Sequence, residues 1–371
     1  MGHHRSHSTE SQPERLCLFR LSAIGDCCNI VPIVRTLQTH RPETRLTWVM
    51  GQTEASLLGD LDGVEIITHE KNNGTGTLRR QLGSRRFDVL MLMQVALRAG
   101  LASRAVRAPV RLGFDRSRSR DGHGLFINRR IPPLTPGHVT DGFFGFCEAM
   151  GVRDRTLRWD IPIPKAAHDA VDRLVCPHDT AAPPLLVLSP CSSDRFRNFR
   201  NWPAERYACV ARHAAVHHGL QVVLTGGNSE IERAYGHSIE RELGKYSNVP
   251  VPNLNLIGQT DLKTLFALIQ RATAVIAPDS GPVHMAVAAG TPAIGLYATS
   301  NPNRTGPVLG RNWVVNAYPE AVRRFLRRDV DAIRWGRRVR DPGAMELITP
   351  SMVTERLDQL MATPVGERLS R

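Results

Sequence analysis

At 371 residues the chain is long enough for two α/β domains of ordinary size, each with its own core. Its 42% hydrophobic and 22% charged content is that of a globular protein and excludes a disordered one. The net charge of +13 calls for an anionic partner, and 44 of the 48 basic residues are arginine, whose planar fork grips phosphate or carboxylate with two parallel hydrogen bonds.

Residues 1–14 are rich in His and Ser, lack a signal-peptide core, and read as a disordered leader or tag remnant. No run approaches the ~18 apolar residues that span a bilayer, so a cytoplasmic location is expected. Short apolar runs then alternate with helix-like segments. Leu16–Leu21, Leu46–Met50 and Val89–Met93 read as buried strands, with a helix over Asn29–Thr39 between the first two. The alternation predicts a parallel sheet with helices on its faces. Ile161-Pro-Ile-Pro164 and the prolines between Cys176 and Pro184 bracket one short helix, Lys165–Val175, and mark a boundary.

The second half restarts the pattern. Leu185–Ser189, Gln221–Thr225, Leu254–Ile257, Ala274–Ala277 and Ala293–Tyr297 read as strands, and Glu205–His217, Glu230–Leu243, Leu262–Ala272 and Val283–Ala289 as helices. The expected plan is a first domain over 15–165, a linker over 166–184, a second domain over 185–345, and a C-terminal helix within 346–371 free to pack back on the first domain. The seven cysteines form no C-x-x-C pair and read as reduced, mostly buried thiols, with no disulfide framework and no metal site. The arginine runs at 98–130 and 323–340 read as solvated faces, with an anion-binding surface as the alternative.

In open α/β sheets ligands bind beyond the carboxyl ends of the strands, which directs attention to three strand-to-helix loops. In Arg20-Leu-Ser-Ala-Ile-Gly-Asp26, Asp26 stands where an N-cap belongs; it is either a cap or a carboxylate able to take a proton from a hydroxyl. Gly25 beside it would let a bulky substrate approach the backbone. In Ala277-Pro-Asp-Ser-Gly-Pro-Val-His284, Pro282 suits the first helical turn and Ser280 or Gly281 the cap. Exposed amides at such a helix start form an anion site, unless this is an ordinary turn with a satisfied His284. The third loop, Ser189 to Pro203, offers Ser192, Ser193, Arg195, Arg197 and Arg200, either as a solvated basic loop or as a phosphate clamp. No G-x-G-x-x-G after a strand, Walker loop, G-x-S-x-G elbow or H-E-x-x-H helix occurs, so dehydrogenase, NTPase, hydrolase and zinc-enzyme readings fall.

Taken together and in this order, the loops resemble glycosyltransferase family 9, the ADP-heptose:lipopolysaccharide heptosyltransferases. The Arg20–Asp26 run resembles the family's amino-terminal motif, and Asp26 falls on its catalytic base. Arg200-Asn-Trp-Pro203 resembles an element whose basic residue contacts the donor phosphates. Ala277–Tyr297 resembles the nucleotide-sugar motif, Asn301–Pro307 continues it, and His138–Gly151 resembles a helix common in the first domain. Asn29 stands where many relatives have His, Asn301 where they have Asp, and Arg200 where better-known members have Lys.

The resemblance implies a GT-B fold, two Rossmann-like doubly wound domains facing each other across a cleft. It implies an inverting glycosyltransferase, independent of metal and using no cofactor beyond an ADP-sugar co-substrate. Ser192, Ser193, Arg200, Glu230, Asp279, Ser280, Gly281 and His284 would bind the donor, Glu230 or Glu232 holding the ribose. Ser22, Gly25, Arg116, Arg118 and Arg120 would bind the acceptor. That acceptor is the anionic lipopolysaccharide inner core, through a Kdo or heptose hydroxyl, reached by peripheral contact with the inner face of the cytoplasmic membrane. Alternatives are another nucleotide sugar or acceptor within the family, or a non-catalytic basic module for lipopolysaccharide or nucleic acid. Nucleic acid is not expected, because the 6% of aromatic residues do not interleave with the arginine runs.

Overall fold

The apolar runs of the first half become the strands of one sheet. A computed structural model describes residues 15–70, 74–176, 183–192, 198–245, 251 and 253–369. The first half runs β1 (Arg15–Phe19), α1 (Ile24–His40), β2 (Arg45–Met50), α2 (Gln52–Leu58), β3 (Val64–Thr68), α3 (Thr75–Leu82), β4 (Val89–Leu92), α4 (Leu97–Ser103), β5 (Val110–Gly113), β6 (Arg129–Arg130) and α5 (Val139–Ala149). Its sheet has the order β3-β2-β1-β4-β5-β6, and every pair is parallel. Leu16–Phe19 and Val89–Leu92 are buried throughout, as central strands covered on both faces must be.

Helix α1 begins at Ile24, five residues before the start expected from its apolar pattern. Small residues carry little apolar signal, yet Ala23 already accepts the Cys27 N–H at 3.0 Å. Pro32 lies inside this helix and cannot donate to the Cys28 carbonyl one turn back. The Trp159 indole N–H, 3.0 Å from that carbonyl, supplies the missing donor.

The second half runs α6 (Lys165–Val175), β7 (Leu185–Leu188), α7 (Ala204–His218), β8 (Gln221–Leu224), α8 (Glu230–Gly244), β9 (Asn253–Asn255), α9 (Leu262–Arg271), β10 (Ala274–Pro278), α10 (Gly281–Ala289), β11 (Ala293–Tyr297), α11 (Pro302–Thr305), β12 (Val315–Asn316), α12 (Tyr318–Ala321) and α13 (Pro350–Ala362). The order is β12-β11-β10-β7-β8-β9, again all parallel. Each sheet reverses direction beside its first strand, between β1 and β4 and between β7 and β10, where doubly wound sheets bind ligands.

Two compact units emerge. Among the described residues, one holds 15–22, 30–134 and 142–158; the other holds Ala23–Asn29, Thr135–Asp141 and those from Trp159 onward. The short segments are therefore not where a single cut near residue 165 would put them. Helix α6, inside the expected linker, packs on α9. Helix α13, which the sequence left free to return to the first domain, buries Val353, Leu357 and Leu360 in the second unit's core instead. Its entry is fixed by the Trp202 indole, which donates to the Ile348 carbonyl at 2.9 Å.

Candidate functional site

The loop leaving β10 is built around Asp279. The Ser300 hydroxyl donates to its carboxylate at 2.7 Å, and Arg200 donates to its carbonyl at 2.5 Å while standing 3.7 Å from the carboxylate. Both partners come from other strand-end loops, so Asp279 is a tie between β7, β10 and β11 rather than an open acid. Ser280 is the N-cap of α10, but its hydroxyl turns back to the Pro278 carbonyl at 3.0 Å and caps no amide. Pro282 brings no N–H, so of the first three helical positions Gly281 and Val283 supply amides. A helix start with an uncapped first turn and an arginine braced beside it attracts anions.

The loop leaving β7 is stitched by asparagines. Asn201 accepts the Ser192 N–H at 3.0 Å, and Asn198 accepts both the Ser192 hydroxyl at 2.8 Å and the Arg200 N–H at 3.1 Å. Ser192 and Arg200 are thereby brought together. Ser193, Arg195 and Arg197 lie outside the described residues. Glu230 is exposed at the first position of α8. Glu232 accepts the Gly227 N–H at 2.8 Å and the Ser229 hydroxyl at 2.7 Å, closing a capping box with Ser229. Of the two candidates for a ribose, Glu232 is thus already engaged by the helix start.

The first turn of α1 belongs to the same unit as α10. Asp26 is its third residue, so the expected N-cap position is corrected: the helix starts two residues earlier. A Cβ on Gly25 would stand 2.6 Å from the His284 ring, and one on Gly281 would stand 2.7 Å from Ile24. Two helix starts are thus packed together at glycines. Asn29, buried, donates to His284 Nδ1 at 3.3 Å, which leaves the proton on Nε2. Burial pushes the His284 ring below the ordinary histidine range, against the opposing fields of Asp279 and Asp26, so the imidazole is neutral. The Asn29 and Asn301 departures become intelligible here. Asn29 fixes a tautomer, and Asn301 caps α11 by accepting the Asn303 N–H at 3.0 Å.

His138 is tied to this unit as well. It donates from Nε2 to the Gly306 carbonyl at 2.8 Å, and its Nδ1 accepts the Thr140 N–H at 3.2 Å. Burial first, against the Gly306 bond, pushes its pKa down to about 4.

In the first unit, Ser22 lies at the β1–β4 switch point. Gln94 holds it there, accepting the Leu21 N–H at 2.8 Å and donating to the Ser22 hydroxyl at 3.4 Å. The loop after β5 carries the three arginines. Arg118 is paired with Asp115 at 2.6 Å and bonded to the Leu134 carbonyl at 3.1 Å. Arg116 and Arg120 are exposed, with Arg120 3.9 Å from Asp121. Gln94, Ser300, Asn198 and Asn201 had no role in the reading from sequence; each is a lone amide or hydroxyl whose partner is set by packing. Burial pushes the Cys147 and Cys191 thiols up to about 12, which leaves both as inert thiols. The aspartates of Asp60-Leu-Asp62 and Asp329-Val-Asp331, two triplets of D-x-D form, are exposed and lie outside all these loops. No described helix is long and apolar enough to cross a membrane.

Comparison with known proteins gives the family and the fold. The signature of Glycosyltransferase family 9 (heptosyltransferase) matches residues 75–327. The chain is 35% identical over 352 residues to the lipopolysaccharide core heptosyltransferase OpsX of Haemophilus influenzae, covering 94% of this chain and 97% of that one. Its fold is similar to a glycosyl transferase of family 9 from Veillonella parvula, with a TM-score of 0.73, 19% identity, and coverage of 94% and 97% of the two chains. It is also similar to E. coli ADP-heptose lps heptosyltransferase II, with a TM-score of 0.68, 20% identity, and coverage of 94% and 98%. The fold is therefore GT-B, with two Rossmann-like domains.

Proposed function

The chain belongs to glycosyltransferase family 9, and from that membership we propose that it moves L-glycero-D-manno-heptose from ADP-heptose to a Kdo or heptose hydroxyl of the lipopolysaccharide inner core. One observation carries the reading: within one unit, the helix start bearing Asp26 is packed against the helix start that follows Asp279. A base and an anion-binding helix start are what a displacement at a glycosyl phosphate requires.

In this reading Asp26 takes the proton of the acceptor hydroxyl as its oxygen attacks the anomeric carbon. The bond from that carbon to the diphosphate oxygen breaks, its electron pair leaves with ADP, and the anomeric centre inverts. Charge grows on the departing phosphate. The amides of Gly281 and Val283 and the Arg200 guanidinium are the donors suited to meet it, an electrostatic role often worth most in catalysis. With these donors no metal is required. The second domain would take the nucleotide sugar and the first the acceptor.

A peripheral membrane contact would bring the enzyme to a lipid-linked acceptor. Its support is a face of the first unit where Leu97, Leu101 and Leu125 are 52%, 45% and 80% exposed beside the exposed Arg98 and Arg104. Apolar tips ringed by arginine suit an anionic lipid surface. Sedimentation with anionic but not zwitterionic vesicles, weakened by salt, is expected; equal binding to both removes the contact.

The purified chain, offered ADP-, UDP- and GDP-sugars with Kdo-terminated and heptose-terminated lipid A acceptors, should release ADP and add one heptose mass to one of them. That transfer should survive excess EDTA. Use of a UDP- or GDP-sugar instead overturns the donor, rescue of lost activity by Mg²⁺ or Mn²⁺ overturns metal independence, and no transfer from any donor leaves only a binding module.

A further inference from the structure

Histidines 213 and 218 on α7 stand in an H-x4-H spacing, and Asp358 on α13 lies 145 and 140 residues away from them in the chain. Packing nevertheless aims them at one point. Nε2 of His213 stands 2.7 Å and Nε2 of His218 2.6 Å from the same Asp358 oxygen, Oδ1. All three ligand atoms lie within 4.8 Å of one another.

Each group is held from behind. The His217 ring packs against His213 with centroids 4.5 Å apart and the rings tilted by 34°. His218 ends α7 just before Gly219, which is left-handed at φ 63° and turns the chain into β8. Asp358 rides on α13 between the buried Leu357 and Leu360. The side chains of His213, His218 and Asp358 remain 23%, 18% and 46% exposed, so an ion can enter and water can complete its shell. The last turn of α7 adds the negative end of a helix dipole, which favours a cation.

We propose that His213, His218 and Asp358 bind one divalent transition-metal ion, with zinc the fitting probe. Two imidazole nitrogens and one carboxylate oxygen are a usual donor set for this class of ion, and calcium or magnesium would prefer oxygen alone. The ion would replace the two hydrogen bonds to Asp358 Oδ1 with three coordinate bonds and pin α13 to α7. Because α7 ends where β8 begins, the site lies at the amino-terminal edge of the second sheet. The reaction loops leave its opposite edge, so this ion is structural and has no part in transfer.

The test uses the full chain, stripped of metal by a chelator and titrated with zinc against a chelating dye. Asp358→Asn keeps an acceptor for both histidines but loses the carboxylate ligand, and His213→Asn/His218→Asn removes two ligands. The wild type should bind one more zinc ion than either variant. Zinc should raise its Tm by several degrees while leaving the variants unmoved, and cobalt(II) should give visible d–d absorption only in the wild type. Transfer, assayed well below the melting temperature, should be the same for all three proteins with or without zinc. Equal zinc stoichiometry and equal Tm shifts in wild type and variants would overturn the site. The melting curves without zinc show whether each variant has folded, and the two variants fail independently.

Discussion

Asp26 and Gly25 occupy neighbouring positions under different constraints. Asp26, third in α1, has a carboxylate near the positive end of the helix dipole, a placement worth about 0.3–1 kcal/mol of stability. Asp26→Asn should cost no more than that in folding and leave ADP affinity unchanged. Transfer should fall by about 10²–10⁴-fold, because an amide cannot take the proton. Activity within a few-fold of wild type would reduce Asp26 to a first-turn acid. Gly25 is constrained by space. Its missing Cβ would stand 2.6 Å from the His284 ring, which Asn29 holds in place. Gly25→Ala should therefore lower stability by about 1–3 kcal/mol in urea unfolding and displace His284. An unchanged unfolding midpoint would show that the two helix starts are loosely apposed.

At the scale of elements, the proposed reading has the loops after β7, β8 and β10 divide the work of holding a nucleotide. Arg200 braces the Asp279 carbonyl in the loop that leads into α10. Arg200→Ala should weaken ADP by on the order of 1.5–3 kcal/mol, roughly ten- to hundred-fold, and adenosine much less. Calorimetry reads both ligands, and equal losses would place the guanidinium away from the phosphates. The start of α8 separates two glutamates that look alike in sequence. Glu232→Gln should lower stability by about 1 kcal/mol through the capping box, with little effect on adenosine. Glu230→Gln should do the opposite if the exposed carboxylate meets a ribose. Interchanged results would reassign the pair.

Over the whole molecule, buried histidines contribute to the response to acid. The His138 pKa is lowered from an ordinary 6.5 to about 4 by burial. The native ring stays neutral while the unfolded chain takes up a proton below 6.5. Its contribution is therefore complete above pH 6.5 and is lost as pH falls towards 4, by at most about 1.4 kcal/mol per pH unit. His138→Gln should be less stable at pH 7, having lost the fit to Gly306 and Thr140, and shallower in its decline between 6.5 and 4. Urea midpoints across that range measure both, and an acid limb parallel to wild type would assign the decline to other groups.

What could be read from the sequence was what is written locally. The apolar runs of β7, β8, β10 and β11, the amphipathic span of α9 and the Pro and Ser at the start of α10 each report their element. They do so because burial along one strand or helix imposes its own period. The ordered motifs, from Arg20–Asp26 to Asn301–Pro307, carried the family in the same way, as contiguous strings. Short elements such as β6 and β12, two residues each, leave no such period. Partnerships across the chain were equally illegible. Asn29 reaches His284 over 255 residues, Arg200 reaches Asp279 over 79, and His213 and His218 reach Asp358 from afar. Nor did any local signal place Ala23–Asn29 with the second unit. A polar side chain's partner depends on which helix lies across it, and that is decided only when the apolar faces of distant segments bury one another.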